Sequence, residues 1–135
     1  MAALTEEQRR FLDENPFVGT TTTLRADGSP HSTVVWVDVL DDGRPAFNTA
    51  VGRAKERHLR NDPRVALLVV NPQNTYRWVA VSGRAELILE GADAQIDKLA
   101  KKYLGADEYP FRNPTETRVT VAITPEHVEG VGLES

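Results

Sequence analysis

The 135-residue chain contains no cysteine. That absence excludes disulfides, cysteine nucleophiles, thiolate zinc sites and cysteine-ligated iron–sulfur clusters together. Long hydrophobic runs are missing too: the longest, Val65–Val70, has six residues, against the ~20 that a membrane helix needs. The first residues are acidic and polar (Thr5, Glu6, Glu7, Gln8), where a secretory signal would be basic and then apolar. These absences predict a cytoplasmic protein with no membrane partner. An excess of positive charge is also lacking, since 16 Lys and Arg face 20 Asp and Glu for a net −4, which argues against a nucleic-acid partner.

Several catalytic signatures are absent as well. His31, His58 and His127 have no metal-ligand spacing, and Ser29, Ser32, Ser82 and Ser135 have no local sign of an activating base. There is no nucleophile elbow, Walker loop or dinucleotide-binding glycine fingerprint. Catalytic residues are therefore assigned to none, no metal is expected, and any reaction falls to a bound cofactor.

What is present describes one folded domain over residues 1–135: 40% hydrophobic and 27% charged residues exclude a disordered chain. Thr5-Glu-Glu-Gln8 has the form of a capping box and starts a helix that Pro16 stops. The period then changes to two. Phe17–Ala26 and Ser32–Leu40 read as strands joined at Asp27-Gly28, and Asp42-Gly43 turns the chain into a third strand, Ala46–Ala50. In Ser32–Leu40, Thr33, Val35, Val37 and Val39 are expected on the core face; Ser32, Val34, Trp36 and Asp38 form a mixed outer face.

Arg53–Asn61 reads as a helix, Val65–Val70 as a strand buried on both faces, and Arg77–Leu89 as a strand with Val79, Val81, Ala85, Leu87 and Leu89 on one side. Gly83 falls on that side and marks a bulge or a close backbone approach. Residues 93–104 carry apolar residues at helical spacing, 105–116 read as a loop, and Thr117–Thr124 as a final strand. The fold class is therefore mainly β (α+β): six mostly antiparallel strands closed into a small barrel with flanking helices.

Charge is uneven along this framework. Residues 53–64 hold five bases (Arg53, Lys55, Arg57, Arg60, Arg64) and two acids, a local +3 that leaves −7 on the rest of the chain. Such an island suits a compact anion better than a long polyanion, although a solvated helix face would carry the same charges. The segment Asn48-Thr-Ala-Val-Gly-Arg-Ala-Lys55 adds small residues for close approach, a helix start with free N–H groups, and a guanidinium and an ammonium for a phosphate.

These residues carry a resemblance. Leu24-Arg-Ala-Asp-Gly-Ser-Pro-His31, Val34-Val-Trp-Val37, Arg53-Ala-Lys-Glu-Arg57, Asp62-Pro-Arg64, Tyr76-Arg-Trp78 and Gly83-Arg-Ala85 occur in an order and spacing that resembles the flavin/deazaflavin oxidoreductase superfamily. This is the FMN-binding split β-barrel group related to pyridoxamine 5′-phosphate oxidase, and the chain is most similar to its short members that use the deazaflavin coenzyme F-420, including biliverdin-reductase-like ones. The resemblance implies a homodimer with cofactor sites in grooves between subunits and a small-molecule acceptor of quinone, enone or tetrapyrrole type. It puts the cofactor phosphate on Arg53, Lys55 and Arg57, and the ring along Ser32, Thr33, Val34 and Val35 with Asn48, Thr49 and Ala50 nearby. Trp78, with Tyr76 and Arg77, is expected to reach the site from the partner chain, whereas Trp36 reads as packing. The chain closes soon after Val128-Glu-Gly-Val131, without the C-terminal extension that carries substrate-binding residues in true pyridoxamine-phosphate oxidases. The alternatives on the same fold are an FMN-dependent oxidoreductase and a non-catalytic flavin, deazaflavin or haem carrier.

Overall fold

Thr5 starts the first helix as the sequence predicts: its side chain accepts from the Gln8 N–H at 3.1 Å, and Gln8 Oε1 accepts from the Thr5 N–H at 2.8 Å. In this computed structural model, which describes residues 2–133, ten elements follow the order α1 (Glu6–Glu14), β1 (Gly19–Leu24), β2 (Pro30–Val35), β3 (Asp38–Val39), β4 (Pro45–Ala50), α2 (Ala54–Asn61), β5 (Arg64–Val70), β6 (Trp78–Ile88), α3 (Ala92–Leu104) and β7 (Arg118–Val131). Among the described residues, no helix is long and apolar enough to cross a membrane.

All strands pair antiparallel in one seven-stranded sheet of order β2-β1-β5-β6-β7-β4-β3. The expected count of six becomes seven because the strand read over Ser32–Leu40 divides at Trp36-Val37, and its two parts lie on opposite edges of the sheet. That placement forces the curl. A flat sheet of seven strands would hold its edges about 29 Å apart, whereas the three Cα–Cα steps from Val35 to Asp38 reach about 11 Å at most. The edges must therefore approach each other, giving a barrel whose β2 and β4 sides meet without a hydrogen-bonded ladder.

Val37 sits at this crossing, fully buried. A buried backbone outside any ladder needs other partners, and α3 supplies them: Tyr103 Oη accepts from the Val37 N–H at 2.8 Å, and Lys102 Nζ donates to the Val37 carbonyl at 2.7 Å and to that of Leu12 at 2.6 Å. The break also shifts the face of Asp38. It leaves the mixed outer face expected for it and is buried, taking Lys98 Nζ at 2.7 Å and the Val39 N–H at 2.9 Å on Oδ1.

Burial pushes the Lys102 ammonium down from about 10.5 to about 8. The unfolded chain keeps that proton until about pH 10, so between those limits it binds more protons than the folded one. Lys102 thus costs stability at neutral pH, and the cost fades as pH rises through that window. Denaturant unfolding of the wild type and Lys102→Met should show the wild type gaining on the variant between about pH 8 and pH 10; a difference constant with pH would contradict the shift.

Inside the barrel, Phe47, Leu67, Val121 and Ile123 pack with Phe11 and Leu12 of α1 and Leu59 of α2. β5 is buried on one face only: Val65, Leu67 and Val69 point inward, while Leu68 is 42% exposed, contrary to the two-faced burial expected. Leu89 likewise lies beyond the end of β6 and is exposed. The last strand, expected to stop at Thr124, continues to Val131. At Gly83 the register shifts so that Ser82 faces His127 and Gly83 faces Pro125, and Pro125, with no N–H to offer, fits at the irregularity.

Candidate functional site

The unpaired seam between β2 and β4 opens into a cavity of about 220 Å³. β2 and the crossing give it Val34, Val35 and Trp36, β4 gives Asn48 and Thr49, and the start of α2 gives Arg53 and Lys55. Its far wall comes from the loop before β7 and from the first residue of that strand: Tyr109, Phe111 and Arg118.

Three cations meet here. Lys55 Nζ donates to Thr33 Oγ1 at 3.1 Å and has no carboxylate partner among the described residues. Burial pushes its pKa down, and the charges of Arg53 and Arg118 push it the same way. Arg53 is held by Glu116, whose Oε2 lies 2.7 Å from Nη2. As N-cap of α2, Arg53 makes no side-chain cap bond, so the first-turn N–H groups have no capping oxygen. Arg118 is 8% exposed; its Nε donates to Asn48 Oδ1 at 2.8 Å and its guanidinium lies 5.2 Å from the centre of the Tyr109 ring.

Two buried polar atoms on this cavity have no hydrogen-bond partner, Arg118 Nη1 and Thr49 Oγ1. A buried guanidinium N–H without an acceptor is costly, and Glu116 stands 4.0 Å from Nη1, outside hydrogen-bond range. The donor set of Arg118, Lys55, Thr49 and an open helix start is therefore what a phosphate would satisfy. Asn48 is already committed. Its Nδ2 donates to the Ala92 carbonyl at 2.9 Å and to Gln95 Oε1 at 2.8 Å, so its carbonyl is held toward Arg118 and fixes where the guanidinium points. Beside the cations the walls are apolar and aromatic. Trp36 stacks on Tyr103 at 5.4 Å and 10° from parallel, and meets Tyr109 edge-on at 6.1 Å. Such a cleft can hold an oxyanion at one end and a flat ring at the other. Among the described residues no group of three or more His, Asp or Glu is placed to hold a metal.

Of the residues expected at the site, Val34, Val35, Asn48, Thr49, Arg53 and Lys55 line the cavity, and Thr33 reaches it through Lys55. Four do not. Ser32 lies on the open face, its Oγ 2.9 Å from Thr22 Oγ1, and Ala50 is buried behind the wall. Arg57 stands on the other side of α2, because a helix turns about 200° in two residues and so separates it from Lys55. Trp78, expected from the partner chain, begins β6 between Val70 and Val131 and lies outside the cavity of its own subunit.

Arg118, Tyr109 and Phe111 went unread, and Trp36, read as packing, packs on Tyr103 and Tyr109 and also lines the cavity. A signal for Arg118 exists only once β7 is aligned with β4, when Arg118 and Thr120 fall opposite Ala50 and Asn48.

A curled antiparallel sheet with a cleft at an unpaired seam defines a split-barrel protein. The chain belongs to the pyridoxamine 5′-phosphate oxidase family, whose model matches residues 4–132. It is 29% identical over 128 residues, 94% of this chain and 88% of the other, to a biliverdin reductase dependent on reduced F-420 from Mycobacterium tuberculosis (strain CDC 1551 / Oshkosh). The structure of an F-420 reductase is 28% identical and superposes with a TM-score of 0.76, covering 93% of this chain and 98% of that one. A conserved hypothetical protein from Mycobacterium tuberculosis shares the fold at 24% identity and a TM-score of 0.74, covering 96% of this chain and 85% of the other.

Proposed function

We propose that this chain is an oxidoreductase that binds coenzyme F-420 in the β2/β4 cleft and reduces an unsaturated small molecule of quinone, enone or tetrapyrrole type. The observation that carries the reading is the buried Arg118 Nη1 beside Lys55, the first without a hydrogen-bond partner and the second without a carboxylate among the described residues. The F-420-dependent reductases among the relatives support the deazaflavin over FMN.

When bound, the deazaflavin supplies hydride from its C5. The protein's own contribution is binding and orientation. Lys55, Arg118 and Thr49 hold the phosphate; Asn48 and Gln95 keep Arg118 aimed; Val34, Val35, Trp36 and Tyr109 give an apolar wall that excludes water from the ring. FMN is the rival, because its phosphate suits the same donors. Anaerobic mixing of the protein with reduced F-420 and a panel of such acceptors tests the reading. Acceptor-dependent oxidation of F-420 supports it, and turnover with reduced FMN alone would transfer the reading to the flavin. Lys55→Ala removes one charge-assisted contact, so F-420 affinity should fall by roughly 1.5–3 kcal/mol; an unchanged dissociation constant would mean the phosphate lies elsewhere.

The working unit we propose is a homodimer. The outer face of the sheet leaves Val34 65% and Leu68 42% exposed, next to Ala66 and Ala80, and apolar surface gathered on one face marks an interface. Tyr76, Arg77 and Trp78 would then reach a cleft across the subunit boundary. Leu68→Lys should shift the protein to monomer in analytical ultracentrifugation; a dimer that persists would place the interface on another face.

A further inference from the structure

Arg57 is excluded from the seam, yet it is not alone. A second cavity, of about 550 Å³, lies where α2 meets the β1–β2 hairpin, bounded by Arg25, His31, Arg57, His58 and Asn61. The basic island that reads as one clamp is thus two clusters, divided by an eight-residue helix.

Three acids of the flanking segments take their hydrogen bonds from other groups. Asp27 takes the Ser29 N–H and hydroxyl at 2.9 and 2.6 Å. Asp62 pairs with Arg64 at 2.7 Å, and Glu56 holds the Gly52 N–H and Arg60. Arg25 is anchored through Nη1 on the Pro30 carbonyl at 2.7 Å, and Arg57 has no ionic partner among the described residues. The two imidazoles meet edge to face with centroids 5.1 Å apart. His58 Nδ1 is 2.8 Å from Thr23 Oγ1, whereas His31 Nδ1 is buried and unpartnered.

We propose that this cavity is a second oxyanion site, distinct from the seam, that takes a phosphate or carboxylate group of a small molecule between Arg25, Arg57 and His31. The exposed Arg57, Arg25 beyond its bond to the Pro30 carbonyl, and His31 with its proton on Nδ1 can all donate to one anion, and among the described residues none of the three pairs with a carboxylate. Burial lowers the pKa of His58, and the charges of His31, Arg25 and Arg57 lower it further. An anion among those groups reverses the electrostatic part of that shift.

The test uses inorganic phosphate on the full-length protein, with chloride at matched ionic strength, and follows the His31 and His58 ring resonances by NMR across pH. The expected result is a saturable rise in the His58 titration midpoint in phosphate and not in chloride. Arg25→Ala/Arg57→Ala should weaken that response by roughly tenfold, and Lys55→Ala should leave it in place. If the double variant does not fold, Arg57→Gln alone should still weaken the response several-fold. The proposal is overturned by no saturable shift, by an equal shift in chloride, or by loss of the response in Lys55→Ala, which would put the ion at the seam. A shift that needs added F-420 would also overturn it, since the cavity would then be an extension of the cleft.

Discussion

Arg118→Met should abolish tight cofactor binding while costing the unliganded protein less. Arg118 is buried, with Nη1 facing the cavity without a partner. If that nitrogen meets the cofactor phosphate, truncation removes one side of a desolvated, hydrogen-bonded charge pair, a loss of about 2–5 kcal/mol in binding. The unliganded fold responds differently. It loses the Nε bond to Asn48, 2.8 Å long, but also sheds a buried charge whose donors are incompletely matched. Asn48 Oδ1 is left without that donor, so the change should cost about 1–3 kcal/mol, offset in part by the buried charge removed. Calorimetric binding and thermal unfolding of one sample separate the two effects. A large drop in melting temperature with binding retained would make Arg118 a structural residue.

Gly83→Val should be the most damaging single change to the fold. A Cβ at Gly83 would run into the Thr124 carbonyl oxygen and stand 3.0 Å from the Glu126 nitrogen. Both obstacles are backbone, so no side chain can swing aside. The irregularity between Ser82 and Gly83 is where β6 follows β7 past Pro125. Forcing the strands apart at this point costs about 3 kcal/mol or more, which lowers the melting temperature by on the order of 10 °C. A variant that melts within a degree or two of the wild type would show that the strands can separate here without penalty.

Local chemistry made the first of these elements readable. The Thr5–Gln8 box and the Asp27-Gly28 and Asp42-Gly43 turns depend on neighbours in sequence, and all three form. What escaped depends on partners far along the chain. Trp36-Val37 lies inside a run rich in valine with no glycine or proline, and nothing local shows that Tyr103 and Lys102 will replace a neighbouring strand there. Pro125 looks like a strand terminator, and only the missing side chain of Gly83 lets β7 continue past it. At the site, Lys55 was legible because a cation at a helix start has local meaning. Arg57 lies away from the cavity because two residues along a helix turn it about 200° from Lys55. Arg118 gained its role from the pairing of β4 with β7, seventy positions from Asn48.

The reading of the seam as a deazaflavin site is tested most directly by titrating the purified protein with F-420 and, separately, with FMN, following fluorescence. The account predicts saturable F-420 binding at micromolar concentrations, weakened in Lys55→Ala and lost in Arg118→Met, with FMN binding more weakly. Tight FMN binding with no saturable F-420 response would contradict it.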